Sequence, residues 1–462
     1  MNTNLLVKKI PSADSTGAPY VAGNFAPLKS EVTAFDLEVT GHVPEALSGR
    51  FLRIGPNPID ELDRVQLVRH HWFAGSGMAH GLRLHGGKAQ WFRSRFVLDR
   101  DAARVLSRKP IPGPGEGTRD GNVNTNLMNV GGKLCAVVEA GSIPVELDYE
   151  LASVRRTDFD GTLEAGFTGH PKFDPVAGVH HALAYEPFQP IRYIAVDSDG
   201  RATTKACIDL PHIPLIHDMA FTQAFIVVPD FPVTFQPELS HTDFPWLWDD
   251  RRASRIGLLP RDGDVSSIQW FEVPRCFAFH FVNAYDDGEL TIVDLARHER
   301  MFLTDQNGPN EGAPILVRWT LHRPSGRVTE SVIDDRGIEF PRINGRYGGL
   351  AYRYAYTAYW GDDVAFGPAM KHDLRRETTE VHDYGQGMMT SEPVFVRKPG
   401  AVAEDDGWVL SYVYDPGRDL SDVVILDAQD FAGEPVATIR LPVRVPFGFH
   451  GGWAPDMVTA VE

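Results

Sequence analysis

The chain has 462 residues and a formal charge of −17, with 43% hydrophobic and 23% charged residues. Such a balance belongs to a globular protein with a sizeable core, and it argues against nucleic acid as a partner, because phosphate binding rests on Lys and Arg patches. Three cysteines (Cys135, Cys207 and Cys276) share no CxxC spacing and are too few for a disulfide framework, so a reducing cytoplasm is the expected location.

Residues 1–25 read as an extended N-terminal arm. Lys8 and Lys9 precede no apolar stretch of the kind a signal peptide needs, and Pro11, Gly17 and Pro19 disfavour regular structure. The remainder, 26–462, shows no linker or low-complexity segment and is expected to be one domain. Gly and Pro punctuate short β-branched or aromatic runs along it: 133–139 (KLCAVVE), 224–228 (AFIVV), 289–295 (ELTIVDL), 408–414 (WVLSYVY), 423–427 (VVILD) and 436–441 (VATIRL). Turn chemistry such as Asp286-Asp287-Gly288 bounds them, so they read as strands. Helical periodicity is scarce; 148–155 and parts of 245–255 are the expected short helices. No run of eighteen apolar residues exists, so no membrane span is expected, while peripheral membrane contact stays open.

Many short strands mean a sandwich, barrel or propeller. A single sandwich would be far oversized, whereas seven blades would take about 66 residues each, generous for four strands and their loops. The expected fold is therefore all-β, a seven-bladed β-propeller with a dome of loops and short helices over its axis.

Four histidines stand in separate turn-and-strand contexts: His170 in Thr168-Gly169-His170-Pro171, His217 in Ile216-His217-Asp218, His280 in Phe279-His280-Phe281 and His450 in Phe449-His450-Gly451. Their separations of 47, 63 and 170 residues match no local zinc motif. A propeller explains such spacing, since the innermost strand of each blade lines one central channel. Neutral imidazoles suit Fe, Cu, Zn and Ni, and carboxylates on the outer ring nitrogens would orient them. Glu139, Glu339 and Glu392 stand at apolar strand ends; each is either a solvated edge position or a buried, paired one. The other histidines singled out, His70, His71, His80, His180, His181 and His212, are expected to be ordinary core or surface residues. The tandem pairs His70-His71 and His180-His181 would point to opposite faces of a strand.

The chain resembles the carotenoid cleavage oxygenases, a non-haem iron family that includes carotenoid-, apocarotenoid- and stilbene-cleaving enzymes. The motifs run nearly end to end: Gly49-Arg50-Phe51-Leu52-Arg53-Ile54-Gly55-Pro56, His71-Trp72-Phe73, Gly77-Met78-Ala79-His80-Gly81, Asn124-Thr125-Asn126, the four histidine contexts, Glu339-Phe340-Pro341-Arg342, Ser391-Glu392-Pro393 and Asp405-Asp406-Gly407-Trp408. The resemblance implies Fe(II) on the axis of a seven-bladed propeller, held by His170, His217, His280 and His450. Glu139, Glu339 and Glu392 would hydrogen-bond three of those rings, and Thr125 matches a position that crowds a vacant coordination site in some members. Phe281, an expected substrate contact, departs from a family pattern in which a second histidine often follows the ligand.

The implied reaction is oxidative scission of a conjugated double bond into two carbonyl products, with dioxygen as co-substrate and no organic cofactor. Stilbene-cleaving relatives carry a phenol-binding lysine just before the first glutamate, where this chain has Val138. The tyrosine that partners it is matched by Phe96. Loss of both favours an apolar carotenoid or apocarotenoid over a phenylpropanoid or stilbene. In the aromatic segment 231–248, Phe235 and Trp246 read either as packing on the propeller face or as a lid or tunnel wall that meets the substrate. Competing functions are a ligand-binding propeller with a vestigial metal site, an iron-dependent isomerase with ester cleavage, and a zinc hydrolase.

Overall fold

The computed structural model describes residues 18–115, 120–239, 244–361 and 364–456. Seven antiparallel sheets follow one another around an axis. The second to the fifth blades are four-stranded meanders that begin at the axis with Asn126–Val130, Lys172–Asp174, Ala220–Phe221 and Phe281–Asp287. The sixth begins with Ile338–Ile343 and the seventh with Val394–Arg397. In the first blade the innermost strand is the last of the chain: Gly451–Pro455 pairs with Gly49–Pro56, placing Arg50 opposite Ala454. Val39–Gly41, the second strand in the chain, meanwhile joins the outer edge of the seventh blade against Ala437–Arg440. Both ends of the chain thus close the ring.

Strands in the middle of a blade are covered on both faces by neighbouring blades, so they are apolar throughout rather than alternating. Gly407–Asp415 and Leu420–Asp427 show this, buried along nearly their whole length. Apolar clusters form the seams: Phe51, Leu82 and Phe92 of the first blade pack with Trp408, Leu410 and Ile425 of the seventh. Another seam joins Val137 and Phe159 to Ala182, Ile194 and Val196 between the second and third.

Several strand bounds follow the apolar runs closely: 133–139 contains Lys133–Val137, and 289–295 falls within Leu290–Arg297 with one residue of overhang. The two expected helices are absent. Residues 148–155 form a turn and then the strand Ser153–Arg156, because Asp148 accepts the backbone N–H groups of Glu150 and Ala152 at 2.8 Å and reverses the chain. Residues 245–255 contain the strand Trp246–Trp248 and the start of Ser254–Pro260. The α-helices among the described residues are Arg64–Arg69, with a capping box between Asp63 and Gln66, and Arg100–Val105, capped by Asp99. Residues 18–25 form two short 3-10 turns, Pro19–Val21 and Gly23–Phe25, with Tyr20 buried against Phe25 and Trp72; the earlier part of the arm lies outside the described residues. Among the described residues no helix is long and apolar enough to cross a membrane.

One insertion shapes the site. Between the second and third strands of the fourth blade, Val233–Phe235 and Trp246–Trp248 form a separate hairpin. It is tied to the segment leading into His217 by Leu215 N–H to Val233 O at 2.8 Å and Phe235 N–H to Ile213 O at 2.9 Å.

Candidate metal centre

His170, His217, His280 and His450 all sit at the same end of an innermost strand, either directly before it or a few residues ahead of it. They come from the third, fourth, fifth and first blades. Each is buried, and their four candidate ligand nitrogens all lie within 4.8 Å of one another. The Nε2 atoms of His170 and His217 are 3.1 Å apart, as are those of His280 and His450.

The remaining three blades supply the carboxylates. Glu139 follows the second strand of the second blade and accepts the Nδ1–H of His217. Glu339, on the first strand of the sixth, accepts from His280 Nδ1 at 2.5 Å, and Glu392, leading into the seventh, accepts from His450 Nδ1 at 2.9 Å. Backbone donors reinforce two of them: Phe340 N–H reaches Glu339 at 2.6 Å, and Gly451 N–H reaches Glu392 at 3.1 Å. Burial alone would raise the Glu392 carboxyl, but Arg342, His450 and the Gly451 N–H hold it down at about 2. Glu339 is likewise held far below the carboxylate range against its burial, first by His280.

This pattern tests whether a metal fits. A ring that donates Nδ1–H to a carboxylate in its neutral form presents a lone pair at Nε2. In His280 and His450 those two lone pairs face each other at 3.1 Å, where neither can donate to the other. Burial and the surrounding imidazoles push His170 well below its ordinary value, and burial takes His450 to about 3 despite Glu392, which keeps both rings available as neutral ligands. A cation bound between the four nitrogens relieves the repulsion. Three carboxylates behind three of the rings supply the negative charge that neutral ligands lack.

Two further bonds brace the ring of inner strands. Buried Asp218 pairs with Lys172 at 2.8 Å and accepts Phe281 N–H at 2.9 Å, linking the third, fourth and fifth blades just below the histidines. Thr125 precedes the innermost strand of the second blade and donates its hydroxyl to Asn124 at 3.3 Å. Its methyl lies against Gly169, where an added Cβ would come within 2.7 Å of it. That close approach requires glycine beside His170.

A cavity opens onto the four-histidine set, with His217, His280 and His450 in its wall. Of the expected contact residues, Val138 and Trp246 line it, as do Thr125, Glu139 and Glu339; Glu392 stands behind His450. Three expected contacts lie elsewhere. Phe96 packs in a cluster with Met78 and Ala102 and is not part of the cavity wall. Phe281 points into the seam beside Phe231, and Phe235 packs edge-on to Trp246 and Phe188 behind the wall. Sequence reasoning missed Tyr185, Phe279 and Phe449 as lining residues. Phe279 and Phe449 carried a signal, since each immediately precedes a histidine of the set; Tyr185 carried none. The other singled-out histidines are engaged away from the axis, for example His80 with Ser94 at 2.8 Å and His212 with Asp230 at 2.7 Å. His180 and His181 do take opposite faces, one half-exposed and one buried. His70-His71 follows the helix Arg64–Arg69 rather than lying on a strand, with buried His71 stacked on Phe244.

Known proteins share this architecture. A carotenoid cleavage oxygenase of Mycobacterium tuberculosis is 36% identical over 95% of this chain and 97% of its own length. An isoeugenol monooxygenase of Pseudomonas putida is 31% identical over 94% and 98%. Among solved structures, the lignostilbene dioxygenase of Pseudomonas brassicacearum superposes with a TM-score of 0.86 at 28% identity, covering 95% of this chain and 98% of that one. A cobalt-substituted Synechocystis ACO gives 0.84 at 25% identity, covering 95% and 98%. The family model described as "RPE65: Retinal pigment epithelial membrane protein" matches residues 25–455. A match of that length, with relatives similar from end to end, means that the chain belongs to the RPE65/carotenoid cleavage oxygenase family.

Proposed function

We propose that the protein is an Fe(II)-dependent oxygenase that cleaves a conjugated double bond of a carotenoid or apocarotenoid with dioxygen, giving two carbonyl products. Ferrous iron, bound by the four imidazoles, would supply the electrons that activate dioxygen. The chain's own residues do the rest. Glu139, Glu339 and Glu392 fix the ring planes of His217, His280 and His450. Thr125, on the cavity wall with its methyl against the Gly169–His170 step, narrows the space beside those rings.

The observation that carries the substrate class is the character of the cavity wall. Trp72, Phe73, Phe244, Trp246, Phe279 and Phe449 line it, and among the described residues no Lys or Arg does. Two of its neutral polar groups are engaged: the Tyr185 hydroxyl donates to Glu139, and the Asn124 amide donates to the carbonyls of Phe73 and Gly75 at 3.0 and 2.9 Å. With Val138 where stilbene-cleaving relatives carry lysine, no cationic side chain among the described residues lines the wall to hold a phenolate. An apolar polyene suits such a surface.

The second reading, a phenylpropanoid or stilbene substrate, is favoured by the similarity to isoeugenol monooxygenase and lignostilbene dioxygenase. Incubation of iron-loaded protein with an apocarotenoid and, separately, with isoeugenol, followed by mass spectrometry of the aldehydes, separates the two. Cleavage of the polyene is expected. An intact polyene beside rapid vanillin release would reverse the assignment.

A further inference from the structure

The three glutamates are not held alike. Glu339 and Glu392 each receive a backbone N–H as well as a histidine, and their side chains are 1% and 5% exposed. Glu139 is 16% exposed, lines the cavity, and receives no backbone N–H among the described residues. A carboxylate on rotatable bonds, with one oxygen on His217, needs a second restraint to hold the ring plane. The one it has is the phenol of Tyr185, which donates to Oε1 while Oε2 accepts from His217 Nδ1.

We propose that Tyr185 is a positioning residue for the metal centre, acting on His217 through Glu139. Three blades meet in this relay: Tyr185 immediately follows the third-blade strand Val179–Ala184, Glu139 comes from the second blade and His217 from the fourth. The phenol is itself fixed. Tyr185 is buried, with Trp246 packed edge-on at 5.6 Å. The turn after it is pinned by Glu186, which accepts Gly166 N–H at 2.8 Å and pairs with Arg192 at 3.2 Å. Burial, and then the charge of Glu139, drive the phenol well above its ordinary value, so it remains a donor throughout the working pH range. Without that hydroxyl, Oε1 would face an aromatic cavity as an acceptor with no donor. It would then either draw in water or rotate, releasing the plane of His217.

The inference rests on the metal reading of the four imidazoles and is independent of the substrate. Its test is a Co(II) titration of metal-free protein, followed by visible absorption, for wild type, Tyr185→Phe, Glu139→Gln and the double variant. Tyr193→Phe serves as a control, because it removes another buried phenol, bonded to His181 at 3.0 Å, that does not touch a member of the four-histidine set. Tyr185→Phe should weaken Co(II) binding roughly tenfold and shift its ligand-field bands. Tyr193→Phe should match wild type. Within Glu139→Gln, adding Tyr185→Phe should cost much less than it does alone, because the path runs through the carboxylate. Wild-type affinity and spectrum in Tyr185→Phe, or an equal loss in both backgrounds, would overturn the proposal. A wild-type protein that binds no Co(II) would instead overturn the metal reading, and this inference with it.

Discussion

Four imidazoles at one centre are not four equal ligands. His217, His280 and His450 each lean on a carboxylate, whereas no carboxylate accepts from His170 among the described residues. The carboxylates also differ in what stands behind them: a phenol at Glu139, the His298 ring at 3.4 Å from Glu339, and the Arg342 guanidinium at 3.4 Å from Glu392. An ionised carboxylate makes the ring it binds more basic and fixes which nitrogen carries the proton. Glu392→Gln keeps the shape but removes the charge, and its amide can offer His450 Nδ1–H only a neutral acceptor. It also leaves Arg342 without its anion. Turnover of the preferred alkene should fall roughly 10- to 100-fold, with iron per chain reduced in parallel when measured by metal analysis. Wild-type rates with full iron would show that Glu392 plays no orienting part. At this scale the histidines were legible because each stands where a turn meets an inner strand and has few other uses. The phenol on Glu139 was not, because nothing in Ala184-Tyr185-Glu186 says which distant carboxylate it will meet.

The elements that carry substrate contacts are of two kinds. Phe279 and Phe449 belong to inner-strand starts and are placed by the propeller itself. Trp246 belongs to the inserted hairpin, which is held at the cavity by its pairing with the segment before His217 and by Trp248 N–H to Phe302 O at 3.3 Å. The hairpin carries none of the four histidines, although Trp246 also packs on Tyr185. Trp246→Leu removes about one aromatic face from the cavity, a loss on the order of 1 kcal/mol of apolar contact. KM for an apocarotenoid should rise roughly fivefold while metal content, measured at saturating iron, stays at the wild-type level. A fall in metal content instead would mean that the hairpin holds the His217 segment in place rather than the substrate. The aromatic density of 231–248 was visible in the chain, but periodicity could not tell a two-strand hairpin from a short helix there. The same ambiguity misled the reading of 148–155. In both, a turn-forming aspartate or proline overrode a local apolar spacing that looked helical. The long apolar strands were legible for the opposite reason: covered on both faces, they need no alternation and leave continuous runs.

For the whole molecule, the centre and the ring closure are mechanically one problem. Ring closure brings Gly451–Pro455 against Gly49–Pro56, and His450 is the residue just before that strand. Close approach makes this joint: a Cβ on Gly451 would fall within 1.9 Å of Leu52 O, and one on Gly55 within 2.4 Å of Gly448 Cα. A metal held by the first, third, fourth and fifth blades therefore links the closing blade to the opposite side of the ring. It binds the folded chain and not the unfolded one, so at a hundredfold excess over its dissociation constant it adds about 2.7 kcal/mol of stability. Spread over the unfolding entropy of a chain this long, that is roughly 3 °C in melting temperature. Chelation should lower the Tm of wild-type protein by about that amount. His170→Ala is the informative comparison, because removing the ring without a carboxylate leaves no glutamate stranded. In that variant three imidazoles remain, so binding is weaker and the chelator-dependent difference in Tm at the same metal concentration should shrink. A chelator-insensitive wild type, or an undiminished difference in His170→Ala, would mean that the four blades are not joined through a common ion.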